Sequence, residues 1–96
     1  MKIEYSKRAT SDLRHIADYH ARSDEQAVGE RIATGIREIV ARIVRSPQMG
    51  RAVVQRPGVR AALLLHYHYK IFYKIIRKTV RIVHIRHTSR RPWPSD

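Results

Sequence analysis

Residues 59–87 run VRAALLLHYHYKIFYKIIRKTVRIVHIRH, and three segments within them have the make-up of strands. Val59–His66, Tyr69–Ile76 and Val80–His87 are each rich in β-branched, aromatic and leucine side chains, which suit a pleated, half-buried surface. The connections between them are too short for a crossover, so antiparallel hairpins are expected. On the middle strand, Ile71, Tyr73 and Ile75 fall on one face and Lys70, Phe72 and Lys74 on the other, so one face is wetter. Pro57-Gly58 marks a tight turn just before this region.

Upstream of Met49-Gly50 the apolar period changes from two to between three and four. Val28, Ile32, Ile36, Ile39, Val40 and Ile43 form the stripe of one amphipathic helix, which Ser46-Pro47 ends because proline disfavours helical geometry in the residue before it. Ser23-Asp24-Glu25-Gln26 reads as its capping box. A first helix follows Ser6, an N-cap residue, with Ala9, Leu13, Ile16, Ala17 and His20 on the inner face and Asp12, Arg14, Asp18 and Arg22 on the outer. Ahead of it, Ile3 and Tyr5 alternate with Lys2 and Glu4 as a short strand. The expected order is β-α-α-β-β-β, an α+β fold: an N-terminal strand and an antiparallel helical hairpin on a twisted antiparallel sheet of three to four strands. One domain spans residues 1–96.

Charge divides the chain. Its 96 residues carry 20 Lys and Arg against 8 Asp and Glu, for a net charge of +12. The acids Glu4, Asp12, Asp18, Asp24, Glu25, Glu30 and Glu38 precede Ile39, where Lys2, Lys7, Arg8, Arg14, Arg22, Arg31 and Arg37 balance them. From Ile39 to Ser95 there is no acid, so the excess positive charge belongs to the second part. Such asymmetry implies a polyanionic partner, either nucleic acid or an acidic protein segment. The absence of cysteine excludes a disulfide framework and thiolate zinc sites. With no apolar run near the ~20 residues that span a bilayer and no signal-peptide stretch, a cytoplasmic, membrane-free protein without metal or cofactor is expected.

The helical hairpin, then Pro57-Gly58-Val59-Arg60, Tyr69-Lys70-Ile71-Phe72-Tyr73, Val80-Arg81-Ile82-Val83-His84-Ile85-Arg86-His87 and the double arginine Arg90-Arg91 together resemble the RelE/ParE toxins of type II toxin-antitoxin modules. No single element is diagnostic; order, spacing and size carry the resemblance over nearly the whole chain. It implies a partner antitoxin whose disordered acidic segment folds around the toxin, gaining affinity from area and charge. On this resemblance, the antitoxin is expected on Arg60, Lys70, Phe72, Lys74 and Arg81.

The family divides between ribosome-dependent mRNA endonucleases and poisons of DNA gyrase that cut nothing themselves. Cleavage of RNA by its 2'-hydroxyl needs a base, an acid and cations at the developing phosphorane. The β region holds no carboxylate, so His66, His68, His84 and His87 are the candidate bases. His87 beside Arg86 leads, with Arg60 and Lys70 as further cations; His84, between Val83 and Ile85, ranks lower. The short ending His87-x-x-Arg90-Arg91 is closer to the ParE branch. That branch implies no catalytic residue and a gyrase-binding surface of Arg86, His87, Arg90, Arg91 and Trp93. A third alternative is a non-toxic basic module that binds nucleic acid.

Overall fold

Ser6 converts the opening strand into a helix. Its hydroxyl accepts the Ala9 amide proton at 3.0 Å, an N-cap bond, and donates to the Val83 carbonyl at 2.9 Å, tying the helix start to the far end of the chain. The structure is a computed structural model and describes residues 1–22 and 26–88. The strand β1 (Lys2–Tyr5) leads into α1 (Lys7–Arg22), which is followed by α2 (Gln26–Arg45). These helices have 16 and 20 residues. The expected capping box is outside the described residues except for Gln26.

The stripe read from the sequence is the buried face of α2, where Ile32, Ile36, Ile39, Val40 and Ile43 are all enclosed. They pack on Ile71, Tyr73, Val80, Ile82 and Ile85 of the sheet to form one core. β-branched residues are weak helix formers, so α2 draws its stability from this contact. His20 of α1 is buried against Gly29 of α2, where an added Cβ would approach its own at 2.9 Å. The helices therefore approach closely next to the segment that joins them.

The sheet has five strands in the order β1-β5-β4-β3-β2, with β2 (Arg51–Ala52), β3 (Val59–Leu64), β4 (Tyr69–Ile76) and β5 (Thr79–His87). The last four are antiparallel, as expected. β1 joins them parallel to β5, pairing Tyr5 with Ile82, so the whole sheet is mixed. The helical hairpin between β1 and β5 provides the long crossover that a parallel pair requires.

Strand β3 ends at Leu64, two residues before the expected His66. Leu64 pairs with Tyr69, so the chain must reverse within residues 65–68. It does so through a 3-10 turn at Leu65–Tyr67 and a left-handed His68 at φ 59°. Gly58, at φ +82°, supplies the corresponding left-handed residue before β3.

Candidate partner-binding face

Strand alternation separates the sheet residues into two sets. Ala62, Leu64, Tyr69, Ile71, Tyr73, Val80, Ile82 and Ile85 face the helices. Register then places Arg51, Lys70, Phe72, Lys74, Arg81, His84 and Arg86 on the opposite, outer face, with Lys2 and Glu4 at its β1 edge. Directly paired residues share a face, so Lys70 stands beside Arg86 and Lys74 beside Arg81. Glu4 is the acid of this face and pairs with Arg81. The charge asymmetry of the sequence has become a cationic surface.

Phe72 is the apolar centre of that surface, and it is completely buried. Its ring stacks on His84, with centroids 5.7 Å apart and planes 16° from parallel. The Lys70 ammonium and the Arg86 guanidinium each lie 5.8 Å from its centroid. Cations beside a ring gain from its quadrupole. The sequence expectation that this face is wetter holds for Lys70 and Lys74, but not for Phe72.

His84 is fixed from the other side. Phe72 pairs with His84 and Tyr73 with Ile82, so Val83 is an extra residue in β5. This bulge turns His84 to the outer face while Ile82 and Ile85 stay in the core. Strand β1 has ended by then, leaving the next edge amide of β5 without a strand partner. Asp12 of α1 supplies one: its Oδ2 accepts the Ile85 amide at 2.9 Å and lies 2.7 Å from His84 Nδ1. Arg8 Nε lies 3.2 Å from the same nitrogen. One Nδ1 cannot donate to Asp12 and accept from Arg8, so the shorter contact assigns the proton to Nδ1, and Arg8 is a cation beside the pair. Asp12, assigned to the polar face of its helix by periodicity, is thus a half-buried strut between helix and sheet. No local pattern could have revealed this, because its partners are more than 70 residues away.

The other expected site residues are placed differently. Arg60 pairs with Tyr73 and therefore lies on the helix side of the sheet. Its Nη1 donates to the Gly50 carbonyl at 2.8 Å and the Gln48 carbonyl at 3.3 Å. His87 pairs with Tyr69, and its ring meets that buried tyrosine edge-on at 5.2 Å, with His68 at 6.2 Å. Of the four residues expected for a nuclease, Lys70 and Arg86 come together, whereas Arg60 and His87 lie across the sheet from them. His66 is exposed on the 3-10 turn against Tyr67. Arg90, Arg91 and Trp93 lie outside the described residues. Among the described residues, no cluster of His, Asp or Glu could hold a metal ion, and no helix is long and apolar enough to cross a membrane.

Two helices packed on a mixed sheet with this element order define the RelE/ParE class of small α+β toxins. The sequence profile of the ParE toxin of the type II toxin-antitoxin system parDE matches residues 3–92, and the chain belongs to that family. No curated protein matches at a significant level. Among solved structures, the chromosomal ParDE toxin-antitoxin system from P. aeruginosa matches with a TM-score of 0.78 and 20% identity, covering 93% of this chain and 97% of that one. The isolated E. coli RelE toxin matches with a TM-score of 0.64 and 15% identity, over 94% of this chain and 86% of that one. The E. coli RelBE toxin-antitoxin complex gives 0.64 and 15%, over 93% and 98%.

Proposed function

We propose that the free chain arrests growth by binding DNA gyrase, and that an acidic ParD-like antitoxin neutralises it by covering the outer face of the sheet. The observation that carries this reading is the pairing of Lys70 and Arg86 around Phe72, apart from Arg60 and His87. The histidine on this face, His84, is buried against Phe72 with its Nδ1 held by Asp12, which suits the surface to binding more than to phosphodiester cleavage. Membership of the ParE family supports the same branch. Lys70, expected under the antitoxin, and Arg86, expected under the target, flank one ring. An antitoxin laid on the first therefore obstructs the second, and neutralisation needs no conformational change in the toxin.

The test is to add purified toxin to gyrase and supercoiled plasmid, and to induce the chain alone in cells. Accumulation of gyrase-cleaved DNA and DNA-damage signalling are expected, with transcripts left intact. Normal supercoiling together with codon-specific transcript cuts, lost in His87→Gln, would refute the gyrase reading in favour of ribosome-dependent cleavage. Steeply salt-dependent binding to any polyanion, with no growth arrest, would leave a plain nucleic-acid-binding module.

A further inference from the structure

On the helix side of the sheet, beyond the end of α2, lies an open cavity of about 570 Å³. Met1, Pro47, Met49 and Ile75 give it apolar walls, and Arg60 supplies the charge. Met1 and Met49 are both largely exposed, at 56% and 39%, as is Ile3 next to them on β1 at 46%. The Arg60 guanidinium is held by the two loop carbonyls through Nη1 alone. Among the described residues, no carboxylate balances it. The sequence offers none nearby, since no Asp or Glu occurs between Glu38 and Asp96.

A half-buried guanidinium set among apolar walls, with a fork of donors only partly used, matches a carboxylate carried on an apolar segment. We infer that this cavity receives an acidic side chain of the antitoxin, flanked in its own sequence by apolar residues that cover Met1, Met49 and Ile75. The inference rests on the toxin-antitoxin reading and adds to it a second anchor, across the sheet from the cationic face. The carbonyls of Gly50 and Gln48 orient the guanidinium before the partner arrives, so little ordering remains to oppose binding. Flexible methionine walls adapt to the shape of the apolar neighbours. An antitoxin segment that reaches both faces must wrap around the sheet edge, a geometry open to a chain that folds on binding.

The chain's two methionines both line this cavity, which makes methyl-labelled methionine a direct reporter. The full chain, labelled at the methionine methyl groups, is titrated with acetyl-Leu-Glu-Leu-amide and with its Gln counterpart. Saturable shifts of both methyl signals are expected, with the Glu peptide bound about tenfold or more tightly than the Gln peptide, the difference a charge-assisted hydrogen bond makes. Met49→Glu, at an exposed position, places a carboxylate in the cavity from within and should weaken the Glu peptide by a similar factor without unfolding the chain. Absence of shifts, equal binding of the two peptides, or undiminished binding by Met49→Glu overturns the assignment. Growth arrest on induction, relieved by co-expressed antitoxin, is scored separately. If arrest and relief persist while the peptide fails, the cavity assignment alone falls; if the peptide binds but the chain is harmless, the toxin reading falls.

Discussion

Replacing Asp12 by alanine should reveal how much of the fold hangs on one strut. Its Oδ2 serves the Ile85 amide and the His84 imidazole, and the two side chains retain 17% and 6% of their exposure. Truncation leaves a backbone N–H and a ring N–H without their acceptor in a site that water barely reaches. Each orphaned donor costs about 1–3 kcal/mol, but the imidazole can move its proton to Nε2 and accept from Arg8 instead, so Asp12→Ala should lose about 2–4 kcal/mol, less than the full sum for two donors. For a domain of this size that lowers Tm by roughly 10–30 °C. Asp12→Asn keeps a carbonyl oxygen for Ile85 but loses the charge-assisted bond, and should cost about 1 kcal/mol. Both variants raise the net charge equally, so the difference between them is free of general repulsion. Urea unfolding monitored by circular dichroism reads both, and a cycle with His84→Phe should give a coupling of about 1 kcal/mol or more. If Asp12→Ala unfolds within about 0.5 kcal/mol of the parent, as ordinary surface changes do, the strut is a contact without consequence and the argument fails.

Other outcomes follow from single observations. Tyr73 is fully buried, donates to the Pro47 carbonyl at 2.7 Å and accepts the Gly50 amide at 2.9 Å; Tyr73→Phe should cost about 1–3 kcal/mol in urea unfolding. Gly50→Ala should be at least as damaging, because the new Cβ would stand 2.7 Å from the Tyr73 hydroxyl and 2.9 Å from the Ala61 carbonyl oxygen. Lys74→Glu on the outer face should slow antitoxin association several-fold at low ionic strength, and the effect should shrink at high salt; surface-plasmon kinetics at two salt concentrations check this. Burial raises the Tyr5 phenol above its usual value, against the opposing pull of Arg37. The protonated form is thus favoured in the folded state, and stability present below pH about 10 is lost as pH rises through the folded value. Tyr5→Phe should flatten that alkaline decline in unfolding measurements.

The parts of the fold that repeat locally were legible in the sequence. The isoleucine stripe of α2 gives five buried positions at helical spacing, and β4 and β5 alternate over enough residues to fix their ends. Ser6 is a helix cap in sequence and in space. What could not be read depends on contacts at long range. The parallel pairing of β1 with β5 is decided by how the hairpin returns, and nothing in Lys2–Tyr5 announces it. The extra residue at Val83 breaks the alternation that made His84 look like filler between Val83 and Ile85. Asp12 has the spacing of a solvent-facing helix residue, and its actual role follows from the early end of β1 at Tyr5. Arg60 looked like one more cation in a basic region; register with Tyr73 sends it to the other face from Lys70.

The division of charge along the chain acquires a structural reason from this arrangement. The balanced first part builds α1 and most of α2, where oppositely charged neighbours can solvate the outward faces at little cost. The acid-free second part builds the sheet, whose inner face is consumed by the core and whose outer face is left to its cations. Packing lysine and arginine on adjacent strands repels, and like charges directly opposite one another are destabilising. Lys70 against Arg86 and Lys74 against Arg81 are such pairs, and Glu4 beside Arg81 offsets part of the second. Under the antitoxin contact proposed above, that energy is recovered when an anionic segment lies across the strands. The same repulsion that weakens the lone toxin therefore strengthens its capture, so charge removal such as Lys74→Gln should stabilise the free chain while weakening the complex. Opposite signs in those two measurements distinguish a surface designed for a partner from one that is merely soluble.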